Sequence, residues 1–142
     1  VLHKILQYIV TADNLEKAIE KACRMGILLP TETDWARTEM TKLLAHPGTK
    51  TWFNGTYPTV WNERSIITNH TETNQSGKYR PDRLLVKDKE IVVVDYKFGK
   101  ETDKPREQMQ RYIESLRDMN KWDKIEGFLY YHQSYSILPV SI

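Results

Sequence analysis

Cysteine is almost absent from this 142-residue chain: Cys23 stands alone. One thiol excludes an internal disulfide framework, an all-cysteine zinc site and any iron–sulfur cluster held by four thiolates. A reducing, intracellular setting fits that composition. Long apolar runs are missing too. No stretch approaches the ~20 residues that span a bilayer, and the opening residues do not read as a signal peptide, so none is expected. Charge of one sign is scarce, with 21 Lys and Arg against 19 Asp and Glu, a net of +2. That balance is too small to argue for a polyanion partner by itself. A phosphate loop is lacking. Pro47-Gly48-Thr49-Lys50-Thr51 has neither the G-x-x-x-x-G-K-[ST] spacing nor a strand before it, so no ATP site is expected.

What is present suits one soluble domain. Hydrophobic residues make up 39% and charged residues 28%, and a chain this long buries enough surface to need no staple. The charge is unevenly placed. Residues 78–111 carry 10 basic and 7 acidic side chains, whereas residues 1–77 carry 8 of each. A basic stretch with embedded carboxylates suits a metal-dependent site for a phosphate polymer. The first residue is Val1, and VLHKILQY already reads as helix without a cap before it. The chain is therefore expected to be part of a longer protein.

The pattern predicts helices first. One opens the chain. A second follows Asp13 or Asn14, with Leu15, Ala18, Ile19, Ala22 and Cys23 on one stripe and Gly26 after it. A third runs from Thr33 or Asp34 and stops before Pro47. Strands are expected at 57–67, 79–86 and 90–96, then a helix over 105–119, then strands at 125–131 and 135–140. The polar run 68–77 reads as a loop. Residues 1–56 thus form a helical segment and 57–142 a sheet-containing core, together a single α/β domain.

Asp95 stands out because it interrupts a run, Ile91 to Val94, that should be wholly buried. An ionised carboxylate there is expensive unless it is paired or bound to a cation. With Asp88-Lys89 as a two-residue hairpin loop, residues whose numbers sum to 177 face one another, and Asp82 then faces Asp95. Like charges opposed across a hairpin are destabilising. A divalent cation between them is the economical remedy, since Mg²⁺ takes one or two carboxylates plus waters and phosphate. Lys97 lies two residues beyond Asp95, so both side chains share a face. Carboxylates, lysine and metal together suit phosphodiester hydrolysis.

Pro81-Asp82 followed by Asp95-Tyr96-Lys97 resembles the PD-(D/E)xK nuclease motif, and Gln108-x-x-x-Tyr112 resembles the additional motif of the RecB-type branch. That branch supplies the C-terminal nuclease domain of RecB, AddA and related UvrD/Rep-like helicase–nucleases. The resemblance implies a restriction-endonuclease-like core with a mixed sheet flanked by helices. It implies a Mg²⁺- or Mn²⁺-dependent DNA exonuclease module serving repair and recombination. Its partners would be DNA, the helicase domains of the parent chain and a partner subunit, with no membrane involved. By the same resemblance Asp82 and Asp95 hold metal, Lys97 is catalytic, and Glu63 is the early acidic residue of the metal site. His3 resembles the histidine on an N-terminal helix that joins the metal. Gln108 and Tyr112 support the active site. The family often has glycine three residues before the first aspartate, where this chain has Tyr79. Lys78, Arg80, Lys100, Lys104, Arg106 and Arg111 are expected to line a DNA groove. Two other readings compete. A catalytically silent nuclease fold would hold DNA without cutting it. A glycosidase would use the two carboxylates without needing the lysine.

Overall fold

The computed structural model describes residues 1–62, 79–99, 102 and 104–141. The chain divides into two compact units, Val1–Tyr57 and Pro58–Ile142.

The first unit is helical: α1 (Leu2–Leu6), α2 (Leu15–Arg24), α3 (Thr33–Ala45) and α4 (Lys50–Phe53), with 3₁₀ turns at Ala12–Asn14 and Pro30–Glu32. Asn14 caps differently from the expectation. Its Oδ1 accepts the Thr11 amide at 3.1 Å and so closes the 3₁₀ turn, not α2. Gly26 follows α2 with φ +74°, a conformation glycine adopts without the Cβ penalty. Between α2 and α3, the Arg37 guanidinium grips Glu16 with two hydrogen bonds, at 2.7 and 2.9 Å. Ile5, Leu6, Ile19, Ala22, Ala36, Met40 and Leu43 are buried.

The second unit is a five-stranded sheet in the order β1-β2-β3-β4-β5, with β1 Thr59–Asn62, β2 Arg83–Lys87, β3 Glu90–Lys97, β4 Lys124–Tyr131 and β5 Ser136–Val140. It is mixed. β3 and β4 run parallel, joined across helix α5 (Lys104–Asp118), and every other neighbour pair is antiparallel. The β2–β3 hairpin turns through Asp88, whose φ is +53°. Lys87 faces Glu90 and Arg83 faces Val94, the register that the two-residue loop predicts.

One face of the sheet holds α5. Leu84, Ile91, Val93, Leu129 and Tyr131 pack with Met109, Tyr112, Ile113 and Leu116 of the helix. The other face carries Leu85, Val92, Val94, Tyr96 and Tyr130, all buried, together with the fully buried Arg83. Arg83 donates from Nη1 to Asn62 Oδ1 at 3.3 Å. Burial holds its guanidinium below its ordinary pKa, and the Tyr96 hydroxyl opposes that shift.

Gly127 lets α5 lie close. A Cβ there would sit 2.7 Å from Ile113 Cδ1 and 2.8 Å from Met109 Sδ. Both side chains are buried, so their flexible ends must move within a filled core. Gly127→Ala is expected to cost about 1 kcal/mol in urea unfolding, the low end of overpacking costs. A gain in stability would contradict this packing.

Candidate active site

Strand β3 ends in Val94-Asp95-Tyr96-Lys97. Ile91 and Val93 belong to the core against α5, so alternation places Asp95 and Lys97 on that same face, beyond the apolar rows. They stand at the carboxyl end of the two parallel strands, the end at which open α/β sheets bind ligands.

Asp82 does not enter the ladder. The register points it at Asp95, but β2 begins one residue later, and the last bridged pair is Arg83 with Val94. Each carboxylate instead takes a backbone amide from across the hairpin, Asp95 that of Asp82 and Asp82 that of Tyr96, the residue after Asp95. The Asp82 amide donates to Asp95 Oδ1 at 2.8 Å, and the Tyr96 amide donates to Asp82 Oδ2 at 2.8 Å. Leaving the ladder gives each anion an amide donor. Simple cross-strand opposition would place like charges together without that compensation. A third donor completes Asp95: the Tyr79 hydroxyl bonds to Oδ2.

Asp95 is 2% exposed. Burial pushes its carboxyl up to about 6, the Asp82 charge adds to the rise, and Tyr79, the Asp82 amide and Lys97 oppose it. The Tyr79 phenol is raised strongly by burial and by the Asp95 charge, so it stays protonated and can only donate to that anion. The Tyr79 ring meets Tyr112 edge to face, with centroids 5.4 Å apart and planes at 71°.

The expected site residues fall into three groups. Asp82, Asp95 and Lys97 come together at the end of β3, and Tyr112 reaches them through Tyr79. Tyr112 is also core, buried within the α5 cluster. Gln108 lies one turn before Tyr112 on α5 and shares its flank. His3 lies on α1 of the first unit, half-buried. Glu63, Lys78 and Lys100 lie outside the described residues. Among the described residues, no cluster of three or more His, Cys, Asp or Glu side chains forms. Arg80 is exposed two residues before Asp82. Lys104, Arg106 and Arg111 are exposed on α5. Helical periodicity puts Lys104, Gln108 and Arg111 on one row, at i, i+4 and i+7, and turns Arg106 away from it.

No protein-family model and no curated protein sequence matches this chain.

Two residues were not singled out for the site from sequence. Tyr79 registered only as a departure from glycine, although a tyrosine three residues before Asp82 is within reach of the pair. The second is His132, a histidine that follows β4. Its amide donates to the Lys97 carbonyl at 2.8 Å, its Nδ1 lies 2.9 Å from the Tyr130 hydroxyl, and its ring is 5.3 Å from Phe98. It thereby ties the end of β4 to the end of β3. No local pattern announces a contact made between strands 35 residues apart in sequence.

The donor set fits a hard cation. Asp82 and Asp95 offer only oxygens, side by side, and the buried member is penalised for its charge. A neighbouring divalent ion would remove that penalty.

Proposed function

We propose that the second unit is a metal-dependent deoxyribonuclease that hydrolyses phosphodiester bonds. The observation that carries this reading is the Asp82–Asp95 pair, each carboxylate held by a backbone amide (Asp82 for Asp95, Tyr96 for Asp82), with Lys97 following Asp95 on the same face. Asp82 and Asp95 would hold Mg²⁺ or Mn²⁺, which when bound supplies Lewis-acid polarisation of the phosphate and an acidified water. The residues of the chain do the rest. The two amides and Tyr79 fix the carboxylates before substrate arrives. Lys97 orients the attacking water or balances the charge that develops on the phosphate. The resemblance to RecB-type domains extends the proposal to an intracellular restriction-endonuclease-like module acting as an exonuclease beside a helicase motor. A silent DNA-holding module is the weaker reading, because both aspartates and the lysine are present together at the end of β3. A glycosidase has no use for Lys97 beside the pair.

Labelled linear DNA, single- and double-stranded, should be cut in Mg²⁺ or Mn²⁺ and left intact in EDTA. Cleavage that is indifferent to EDTA would overturn the proposal. DNA binding, measured with Ca²⁺ in place of Mg²⁺, should be backbone-directed and salt-dependent. Lys104→Ala with Arg111→Ala should flatten the log–log salt slope by about two units, and Arg106→Ala should change it less. Equal effects from all three would contradict a footprint along that row.

A further inference from the structure

Asp95 takes a hydrogen bond on each oxygen: the Asp82 amide on Oδ1 and the Tyr79 hydroxyl on Oδ2. Two donors on opposite oxygens fix the plane of the carboxylate. A carboxylate has about four lone-pair sites, so these two bonds leave others for a cation. Tyr79 is itself held. Its ring meets Tyr112 edge to face, and Tyr112 is locked in the core under α5. The chain of contacts runs from helix to Tyr112, to Tyr79, to Asp95.

We propose that Tyr79 is a positioning residue for the metal site: its hydroxyl, braced by Tyr112, aims the Asp95 carboxylate at the cation and stays bonded to Oδ2 when the cation binds. This inference rests on the metal-binding reading above. A hydroxyl that merely competed with the ion would act in the opposite direction. Outer partners of this kind typically tune metal affinity 10- to 100-fold.

The test is Mn²⁺ binding to the chain, measured by electron paramagnetic resonance, for the wild type, Tyr79→Phe and Asp95→Asn. Tyr79→Phe keeps the ring and its contact with Tyr112. It should melt near the wild-type temperature in EDTA and bind Mn²⁺ about tenfold or more weakly. Unchanged or tighter binding in Tyr79→Phe, with binding lost in Asp95→Asn, overturns the role of Tyr79 and leaves the metal site standing. Unchanged binding in both overturns the metal site and this inference with it. Should Tyr79→Phe not fold, 3-fluorotyrosine placed at position 79 gives the second readout. Its ¹⁹F resonance should move on adding Mg²⁺ and stay still in the Asp95→Asn background. A resonance that ignores Mg²⁺ in the otherwise native chain overturns the proposal.

Discussion

Lys97→Ala should lower DNA cleavage by a factor on the order of 10² to 10³ while leaving Mn²⁺ bound. Lys97 ends β3, is half-buried, and lies near enough to favour the charged form of Asp95. On the proposed mechanism it is no ligand, so its removal would not empty the metal site. It would remove one positioned charge from the place where a phosphate oxygen would become more negative, and the loss of one such group has that magnitude. DNA should bind only slightly more weakly, since a single cation contributes little to a backbone-directed footprint. In the metal-free chain the pH range over which stability depends on Asp95 should move upward, because its carboxyl loses a neighbour that holds it down. Single-turnover cleavage beside Mn²⁺ titration separates the outcomes. A lowered melting temperature with intact cleavage would make Lys97 a structural residue.

Asp95→Asn should abolish cleavage and metal binding and yet fold at least as well as the metal-free parent near neutral pH. The structure decides which substitution to use. Alanine would strand the Tyr79 hydroxyl and the Asp82 amide, two donors that Asp95 now satisfies, and unmet donors in a buried place cost about 1–3 kcal/mol. Asparagine can accept the amide on Oδ1 and donate from Nδ2 to a rotated Tyr79 hydroxyl. The pH dependence has a definite sign. The folded carboxyl lies near 6, above its ordinary 3.8, so between those values the native state holds more protons than the unfolded chain. Stability from this group is full below the ordinary value and is lost as pH rises through about 6. The slope is at most ~1.4 kcal/mol per pH unit for one proton. Melting of the metal-free wild type should therefore decline through that window, and Asp95→Asn should remove most of the decline. Added Mg²⁺ should raise the wild-type melting temperature more at pH 7 than at pH 5, since binding needs the ionised pair. A melting curve for Asp95→Asn that tracks the wild type at every pH would contradict this account.

The hairpin was legible in sequence because its information is local. Asp88-Lys89 between two apolar runs sets the loop length, and the loop length sets the register of every pair up to Arg83 and Val94. The crossover through α5 was legible for a similar reason: Met109, Tyr112, Ile113 and Leu116 recur at helical spacing and all are buried. Asp82 shows where local reasoning stops. The register placed it opposite Asp95, but whether the ladder continues depends on where the two anions find donors, and those are the amides of Asp82 and Tyr96. Tyr79 was hidden because its hydrogen bond spans 16 residues and its ring contact a further helix. Helix α4 was missed because four residues, Lys50 to Phe53, are too short to show a period.

A crystal of the chain soaked in Mn²⁺ and measured at the manganese absorption edge tests the central claim most directly. The account predicts one anomalous peak at ordinary coordination distance, about 2.0–2.6 Å, from oxygens of both Asp82 and Asp95, with the Tyr79 hydroxyl still bonded to Asp95. A map with no peak between these carboxylates, or with manganese only elsewhere on the molecule, would contradict it.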